Sequence, residues 1–519
     1  MRFRNQKMRQ LFTLPKGMKP GGLGDSLGKL AVVHPDLIDD PQPFEILDCY
    51  DQSLRDSGQM LLQSGGQLYL IRSDGVLTQT AERAGDFPAD LAEGPVKAVL
   101  RGVLSPLRCL LSVGAGTLRR VPVALMDDER KTQVRAELWV LKPKGKGKSV
   151  TLATVQGLRG YDKARAALIA HLEGLGAQPG LPSDLVLERM YPTLARYVAK
   201  PDVAMTGEEL AFQAANDIIA AYLQVARQNE AGVIADLDTE FLHDYRVALR
   251  KIRSVVSLFK GVYDTDQTAR LKTTFSDLMA PTGRLRDLDV YLLDRQVYFD
   301  LVPDTLHDGL AVMFDLFDRE RGQQLAALTD HFQSDAYAAQ MADLQTLFAT
   351  PETLAPGENA ALHAHDYACA LIWKRYRKVC KIAAGIDDQT EDEEVHELRI
   401  HCKKLRYLIE FFAPLFPRKE VKAVIKPLKK LQDNLGLFND YSVQQQSLGA
   451  FLADHASKGR AKDLAIASSI GALIAVLHQR QLDERARVVA SFAAFDSADT
   501  QARFRTLFHS TAPQKGATA

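Results

Sequence analysis

Two stretches in the second half of the chain place a histidine and several cations at helical spacing. Residues 243–260 read HDYRVALRKIRSVVSLFK, and residues 396–413 read HELRIHCKKLRYLIEFFA. Aligned at an offset of 153 residues, they are identical at five of 18 positions, and 278–290 and 431–443 agree at four of 13 positions in the same register. Two blocks that share one offset without a gap indicate that this half of the chain is a duplication.

Each repeated stretch is predicted to form an amphipathic helix with a row of cations along one side. At about 100° per residue, the row in the first copy covers roughly 80° of arc, and Leu249, Ile252 and Val256 lie on the opposite side. The second copy repeats the row, and one lysine lies beside it in each copy. The cations and histidines of the two copies are His243, Arg246, Arg250, Lys251, Arg253, His396, Arg399, Lys403, Lys404 and Arg406.

A row of like charges favours an anionic partner. A solvated helix face usually mixes charges of both signs, whereas this row holds cations and one histidine, and it occurs twice. Arginine offers a planar fork for phosphate oxygens, lysine offers a point charge, and histidine can donate to an oxyanion. A structural role of His243 and His396 is an equally open alternative. No carboxylate or second histidine has metal-ligand spacing with both, so neither a metal nor another cofactor is predicted.

Other residues of the repeats receive lesser roles. Asp287 and Asp440 each follow a glycine by four residues. We expect them to orient a cation or to cap a helix rather than to catalyse. His401 and Cys402 have no counterparts in the first copy, so no role is predicted for them.

Further basic residues extend the candidate surface. Four cations share one face of the helix before the second copy. Three lysines follow that copy, on a helix whose continuity Pro427 puts in question. Two arginines lie in the second repeated block of the first copy. These residues are Lys374, Arg377, Lys378, Lys381, Lys426, Lys429, Lys430, Arg284 and Arg286.

Bulk composition limits the class of protein without excluding a polyanion partner. The chain has 519 residues, too many for one ordinary core, and its 46% apolar and 25% charged residues are typical of globular proteins. Its 65 basic and 65 acidic residues give a net charge of zero. A zero sum argues against a polyanion only where charge is evenly spread, and here the cations are concentrated in rows.

Cysteine usage and hydropathy favour a cytoplasmic protein. The five cysteines form no Cys-x-x-Cys, so neither a disulfide framework nor a zinc knuckle is indicated. No apolar run approaches the roughly 18 residues of a membrane helix. The basic N-terminus lacks the apolar core of a signal peptide.

The two halves of the chain differ in their periodicity. Up to about residue 160, Gly65-Gly66 and Asp74-Gly75 separate short β-prone runs, residues 134–140 alternate in polarity, and a helix is predicted over 161–172. From Gly207 onward the pattern is helical. The predicted fold class is α+β and multidomain. Its parts are a basic, partly flexible arm (1–40), a β-rich domain (41–200), a first helical repeat (207–350), a second helical repeat (358–509) and a flexible tail (510–519).

The doubled His-x-x-Arg-x-x-x-basic-Lys-x-Arg helix resembles the CHAD domain, the conserved-histidine α-helical domain. In each copy it is followed by a second block, LRDLDV or LGLFND. The resemblance covers about 207–509. It implies two four-helix bundles related by pseudo-twofold symmetry, binding of inorganic polyphosphate and, in bacteria, association with polyphosphate granules. The basic residues of the family carry over to the ten residues of the two copies, and less directly to the Lys374–Lys381 face.

The N-terminal half is similar to a CYTH domain, a triphosphate-tunnel β-barrel. The similarity lies in residues 48–51, 70–72 and 158–161. The Glu-x-Glu-x-Lys motif that seats a divalent metal in that family is missing, because the only Glu-x-Glu is Glu391/Glu393 in the helical half. We therefore expect a degenerate domain without catalytic residues. Arg72, Arg135 and Glu137 would be remnants of a tunnel lining.

The sequence thus predicts a non-enzymatic, cytoplasmic protein that binds inorganic polyphosphate at polyphosphate granules. Sulfate or phosphate ions are further expected ligands of the same site. One alternative is a metal-dependent triphosphatase or polyphosphatase in the N-terminal half. The other is a nucleic-acid-binding protein, which is not expected because the basic helices lack interleaved exposed aromatic residues. No membrane partner is predicted.

Overall fold

The structure is a computed structural model with two compact units. Its described residues are 9–16, 20–34, 40–387, 389–455 and 461–509. The units are Met1–Val198 and Ala199–Ala519. The first is β-rich and the second is helical, as the sequence predicts. The predicted tail, 510–519, lies outside the described residues.

Among the described residues, the first unit is built on one sheet of eleven strands. The strands are β1 Arg9–Thr13, β2 Ser26–Leu27, β3 Leu30–Val33, β4 Gln42–Asp48, β5 Met60–Ser64, β6 Gln67–Arg72, β7 Gly75–Thr80, β8 Leu111–Met126, β9 Thr132–Pro143, β10 Val150–Gly157 and β11 Gln178–Pro179. Their order is β11-β1-β10-β9-β8-β4-β5-β6-β7, and β3 pairs with both β2 and β8. The helices of this unit are α1 Ser53–Asp56, α2 Pro95–Leu100, α3 Asp162–Gly174 and α4 Ser183–Met190.

Local sequence explains most of these strands. The predicted hairpin over β5 and β6 is confirmed, and Gly65 and Gly66 make its turn with φ of 55° and 71°, which glycine adopts readily. The arm predicted over 1–40 differs from the structure, because it contains β1, β2 and β3. Its Leu11 and Phe12 are fully buried, so their burial offsets the cost of ordering the strand.

Both faces of the sheet are covered. Leu11 contributes to one core cluster and its neighbour Phe12 to the other, as expected for the period of two in a strand. Helix α4 closes the first cluster through residues such as Met190, and α3 closes the second through residues such as Leu172.

Among its described residues, the second unit is built from helices and the connections between them. Its helices are α5 Ala211–Ile234, α6 Thr239–Leu258, α7 Thr265–Met279, α8 Gly283–Leu293, α9 Arg295–Asp300, α10 His307–Gln333, α11 Asp335–Ala349, α12 Ala364–Ala383, α13 Asp392–Phe411, α14 Arg418–His455, α15 Ala461–Ala486, α16 Val488–Phe495 and α17 Ala498–Phe508. Within the described residues, no helix is long and apolar enough to cross a membrane.

The duplication read from the sequence extends to the helix boundaries. Helices α12, α13 and α14 each begin 153 residues after α5, α6 and α7, respectively. The two helices that carry the cation rows, α6 and α13, also end at equivalent positions. The copies differ after this point, since α7 and α8 are separated by a short 3-10 turn whereas α14 runs without a break through Pro427.

Equivalent residues of the two copies contact each other, which places them on a pseudo-twofold axis. The Ala211 N–H donates to the Leu362 carbonyl at 2.8 Å, and the equivalent Ala364 N–H donates to the Glu209 carbonyl at 2.7 Å. Such reciprocal pairs are what a twofold interface produces.

A second self-contact lies at the ends of the row-bearing helices. The rings of Phe259 and the equivalent Phe412 stack with their centroids 4.7 Å apart. Both side chains are buried, so the axis passes through the apolar core between the repeats.

Candidate anion-binding surface

The cation rows of the two repeats meet at the pseudo-twofold axis. Helices α6 and α13 pack against each other. Arg250 and the equivalent Lys403 are neighbours, since the Arg250 charge helps to lower the pKa of Lys403. The residues around this pair form the central cation cluster. The cluster comprises His243, Arg246, Arg250, Arg286, Arg399, Lys403 and Arg406.

Lys403 occupies the most strongly perturbed position of the central cation cluster. Burial first, and then the charges of Arg250, Arg399 and Arg406, lower its pKa to about 8. Asp440 acts in the opposite direction. Lysines that are desolvated among like charges hold their proton weakly, and a bound anion would restore it.

The two arginines at equivalent positions of the rows each face an equivalent aspartate. Arg246 donates to the Thr282 hydroxyl at 2.5 Å. Burial and the charges of Arg250 and Arg286 lower the pKa of Arg246, and the Asp287 charge opposes this change. Arg399 lies 3.8 Å from Asp440. Of the two roles predicted for these aspartates, orienting a cation is therefore the one that fits the geometry.

The two histidines of the repeats have different surroundings. The Arg286 guanidinium donates to His243 Nδ1 at 3.0 Å and to the Thr239 carbonyl at 3.2 Å. Because arginine can only donate, Nδ1 is an acceptor and a neutral His243 ring carries its proton on Nε2. His396 is exposed, and the position equivalent to Arg286 is Asn439. The repeat therefore duplicates the histidine without its arginine partner.

Lys251 and Arg284 form the shortest ion pairs with acids among the predicted site residues. Lys251 is only 7% exposed, forms an ion pair with Glu410 of α13, and its Nζ lies 4.1 Å from the centre of the Tyr407 ring. Arg284 makes a bidentate pair with Glu320, with donor–acceptor distances of 2.6 Å and 2.5 Å. Both cations are thus compensated within the protein. Lys251 joins the two repeats.

Arg253 lies at the far end of the α6 row, beside a shallow cavity of about 320 Å³. Lys272 of α7 lines the same cavity, together with the hydroxyl side chains of Ser257, Thr273 and Ser276. Two cations and three hydroxyls are suitable ligands for a phosphate group at this end of the row.

The side of α13 that faces α12 carries a further group of cations. Arg375 donates to His401 Nδ1 at 2.7 Å. Burial first, and then the charges of Arg375, Lys404 and Lys378, lower the pKa of His401 to about 4. The sequence assigned no role to His401 and overlooked Arg375. The adjacent Lys374 was the available signal, because it marks α12 as a basic helix.

The remaining predicted residues lie on exposed faces of α12 and α14. Lys378 is 3.3 Å from Glu397, and Arg377 lines a cavity of about 310 Å³ with Asp496. The other members of this group are exposed, and they are Lys374, Lys381, Lys426, Lys429 and Lys430. These seven side chains form a peripheral set outside the central cation cluster.

Metal ligands are not grouped in the part of the chain that the structure describes. There, no three histidine, cysteine or acidic side chains are placed to hold one ion.

Comparison with known families identifies the helical region. Residues 217–449 match the family model of the CHAD domain. The helical unit contains a CHAD domain. The match begins within α5 and ends within α14, so both cation rows and both orienting aspartates lie inside it. The predicted CHAD resemblance is confirmed, whereas the CYTH resemblance of the β-rich unit stays a prediction.

Two solved structures are similar to the chain. One is the CHAD domain from the plant Ricinus communis, at 24% identity and a TM-score of 0.44, covering 60% of this chain and 96% of that one. The other is PptA from Streptomyces chartreusis, at 19% identity and a TM-score of 0.33, covering 56% of this chain and 99% of that one. No curated protein matches the chain.

Proposed function

We propose that the protein binds inorganic polyphosphate through the central cation cluster. The observation that carries the proposal is the convergence of two equivalent cation rows at the pseudo-twofold axis, where Arg250 and Lys403 are neighbours. A chain of phosphates can contact both rows at once, whereas a single phosphate ion would contact only part of them. The resemblance to the CHAD family supports the same ligand, because it implies binding of inorganic polyphosphate.

The electrostatics of the cluster favour a polyanion. Arg246, Arg250 and Lys403 all have a lowered pKa, caused first by burial and then by the cations beside them. Phosphate oxygens would relieve this repulsion and provide charge-assisted hydrogen bonds. Affinity is therefore expected to be largely electrostatic and to fall with salt.

Nucleic acid fits the cluster less well than polyphosphate. Binding of single strands relies on exposed aromatic rings on which bases stack. Tyr407 is the aromatic residue beside the cluster, and it is buried with its ring face directed at Lys251. We extend the proposal to association with polyphosphate granules in the cytoplasm.

We further propose that the protein is not a triphosphatase. A cleft of about 540 Å³ on the sheet of the first unit contains a single carboxylate, Glu137, which Arg120 binds at 2.6 Å. Divalent cations are usually held by several oxygen ligands. We expect no phosphate release from tripolyphosphate with Mg²⁺ or Mn²⁺. Release that Glu137→Ala abolishes would overturn this part of the proposal.

A competition experiment tests the proposed ligand. The full-length protein is bound to immobilised polyphosphate and challenged with soluble polyphosphate or with RNA of equal total charge, at several salt concentrations. We expect polyphosphate to compete at least about tenfold better than RNA at every salt concentration. Equal competition by the two polymers would show a nonspecific cation surface instead.

A further inference from the structure

A lysine-rich loop in the first unit has no part in the proposed function. Residues 142–148 read KPKGKGK; they include the last two residues of β9 and lead towards β10. Such a loop would ordinarily be a solvated turn. The structure instead holds it against α4 and the sheet.

Close backbone contacts fix the lysine loop. The Lys148 N–H donates to the Arg189 carbonyl at 3.0 Å, and the Lys144 N–H donates to the Ala115 carbonyl at 2.8 Å. A Cβ atom at Gly147 would lie 1.6 Å from the Met190 carbonyl oxygen, so only glycine permits this approach. The lysines of the loop therefore project from a defined backbone.

The docked loop forms one wall of a cavity of about 630 Å³. Its cationic lining residues are Lys16, Lys146, Lys148 and Arg189. The single acid of the lining, Glu188, lies 3.4 Å from the guanidinium of Arg55 and is partly neutralised there. The buried Nε of Arg189 has no hydrogen-bond partner among the described residues. The cavity thus carries an excess of positive charge.

The other walls of the cavity are aliphatic. They are formed by Leu14, Pro15, Val150, Pro182, Leu185, Val186 and Pro192. Leu185 is 62% exposed, so its apolar side chain is in contact with water at the cavity. The described lining includes no aromatic side chain on which a nucleobase would stack.

We propose that this cavity binds an organic phosphate with an aliphatic body. The four cations would hold the phosphate, whose charge matches their excess better than a carboxylate does. The aliphatic walls would remove the hydrocarbon part from water. This site lies in the first unit and does not depend on polyphosphate binding by the helical unit.

Calorimetric titration of the full-length protein with simple phosphates tests the proposal. The probes are butyl phosphate, octyl phosphate, octanoate, inorganic phosphate and ATP. We expect octyl phosphate to bind tightest, with affinity rising about two- to fourfold for each added methylene. If octanoate binds as tightly as octyl phosphate, the proposed preference for a phosphate group is wrong. If inorganic phosphate or ATP binds as tightly as octyl phosphate, the proposed preference for an aliphatic body is wrong.

Variants assign the binding to this cavity. Lys146→Glu with Lys148→Glu should weaken octyl phosphate at least about tenfold, whereas Lys29→Glu with Lys163→Glu changes the charge equally on exposed residues outside the cavity and should have no effect. Leu185→Asp should reduce the gain from butyl to octyl phosphate. Equal effects of the two double variants would overturn the assignment.

A backbone variant separates loop docking from charge. Gly147→Ala keeps every cation but displaces the loop from Met190, and it should also weaken octyl phosphate binding. Retained polyphosphate binding and an unchanged circular dichroism spectrum would show that the protein remains folded. Unaltered octyl phosphate affinity in this folded variant would contradict a site built by the docked loop.

Discussion

The two helical repeats share their framework but differ in how their cations are compensated. Their first three helices begin at equivalent positions. In the first repeat, Lys251 is buried and paired with Glu410 of the other repeat. Its equivalent, Lys404, has a lowered pKa, caused first by burial and then by the charges of Arg375 and Lys260.

The residue type at the position of Glu410 explains this difference between the two lysines. The residue equivalent to Glu410 in the first repeat is Ser257, so the ion pair that Lys251 makes across the repeats has no counterpart for Lys404. The two repeats therefore share their helix positions, whereas the flanking lysine of the first repeat alone forms an ion pair with Glu410 across the repeats. In the second repeat, Glu410 also lies 3.4 Å from Arg406, and Arg399 lies 3.8 Å from Asp440, so these acids compensate the row itself rather than the flanking lysine.

The largest expected effect on polyphosphate binding comes from reversing the charge of the equivalent arginines, one in each row. Arg246→Glu with Arg399→Glu should weaken polyphosphate binding at least about a hundredfold, because each change removes a cation and adds a repulsive carboxylate. Binding is measured by calorimetry, and folding by circular dichroism. Arg270→Glu with Arg319→Glu is the matched control, since both arginines are exposed and lie outside the cluster. An equal loss in the control would point to net charge alone.

The second prediction concerns the ion pair that joins the repeats. Glu410→Gln leaves Lys251 buried without its acid and should lower the free energy of unfolding by about 2 kcal/mol. Glu397→Gln, on the exposed side of the same helix, should change it by less than about 0.5 kcal/mol. Guanidinium denaturation measures both. Similar values for the two variants would refute a special role of the pair.

The pH dependence of binding provides the third prediction. The pKa of Lys403 is about 8 in the free protein, and a bound phosphate would raise it. Below about pH 7 the lysine is protonated in both states. Above pH 8 binding must take up a proton, so affinity should fall by up to about tenfold per pH unit.

Replacing Lys403 with arginine distinguishes its titration from that of other groups in the protein. Lys403→Arg should flatten the decline in affinity between pH 8 and pH 9.5, because arginine stays protonated there. Lys404→Arg is the neighbouring control and should retain most of the decline. A wild-type slope in Lys403→Arg would show that another group is responsible.

The smallest expected effect contrasts the two flanking lysines directly. Lys404→Met should weaken polyphosphate binding about three- to fivefold, whereas Lys251→Met should change affinity by less than about twofold, because Glu410 already compensates Lys251. Affinities at low salt measure the contrast. Equal losses would show that the ion pair does not withdraw Lys251 from the ligand.

Sequence periodicity was sufficient to locate the cation rows and the repeat. The 3.6-residue pattern puts the cations and the apolar stripe of α6 on opposite sides. The fixed offset identifies Arg250 and Lys403 as equivalent residues, and the structure places these two side by side. Contacts between distant segments could not be read in this way. Arg286 with His243, and Lys251 with Glu410, depend on how separate helices pack.

Proline illustrates the same limit within one helix. Pro427 put the continuity of its helix in question, yet α14 passes through it, whereas the chain around Pro281 breaks into a 3-10 turn. A proline removes one backbone hydrogen bond, and tertiary packing decides whether the helix continues. The positions of the prolines can be seen in the sequence, but the packing that decides helix continuity cannot.

One measurement tests most directly whether the two rows form a single polyphosphate site. The wild-type protein, Arg246→Glu and Arg399→Glu are each titrated calorimetrically with a short polyphosphate of defined length. A shared site predicts one polyphosphate per protein, and a loss of at least about tenfold in affinity from either single variant. Two polyphosphates per wild-type protein, with one site of unchanged affinity left in each variant, would contradict the account.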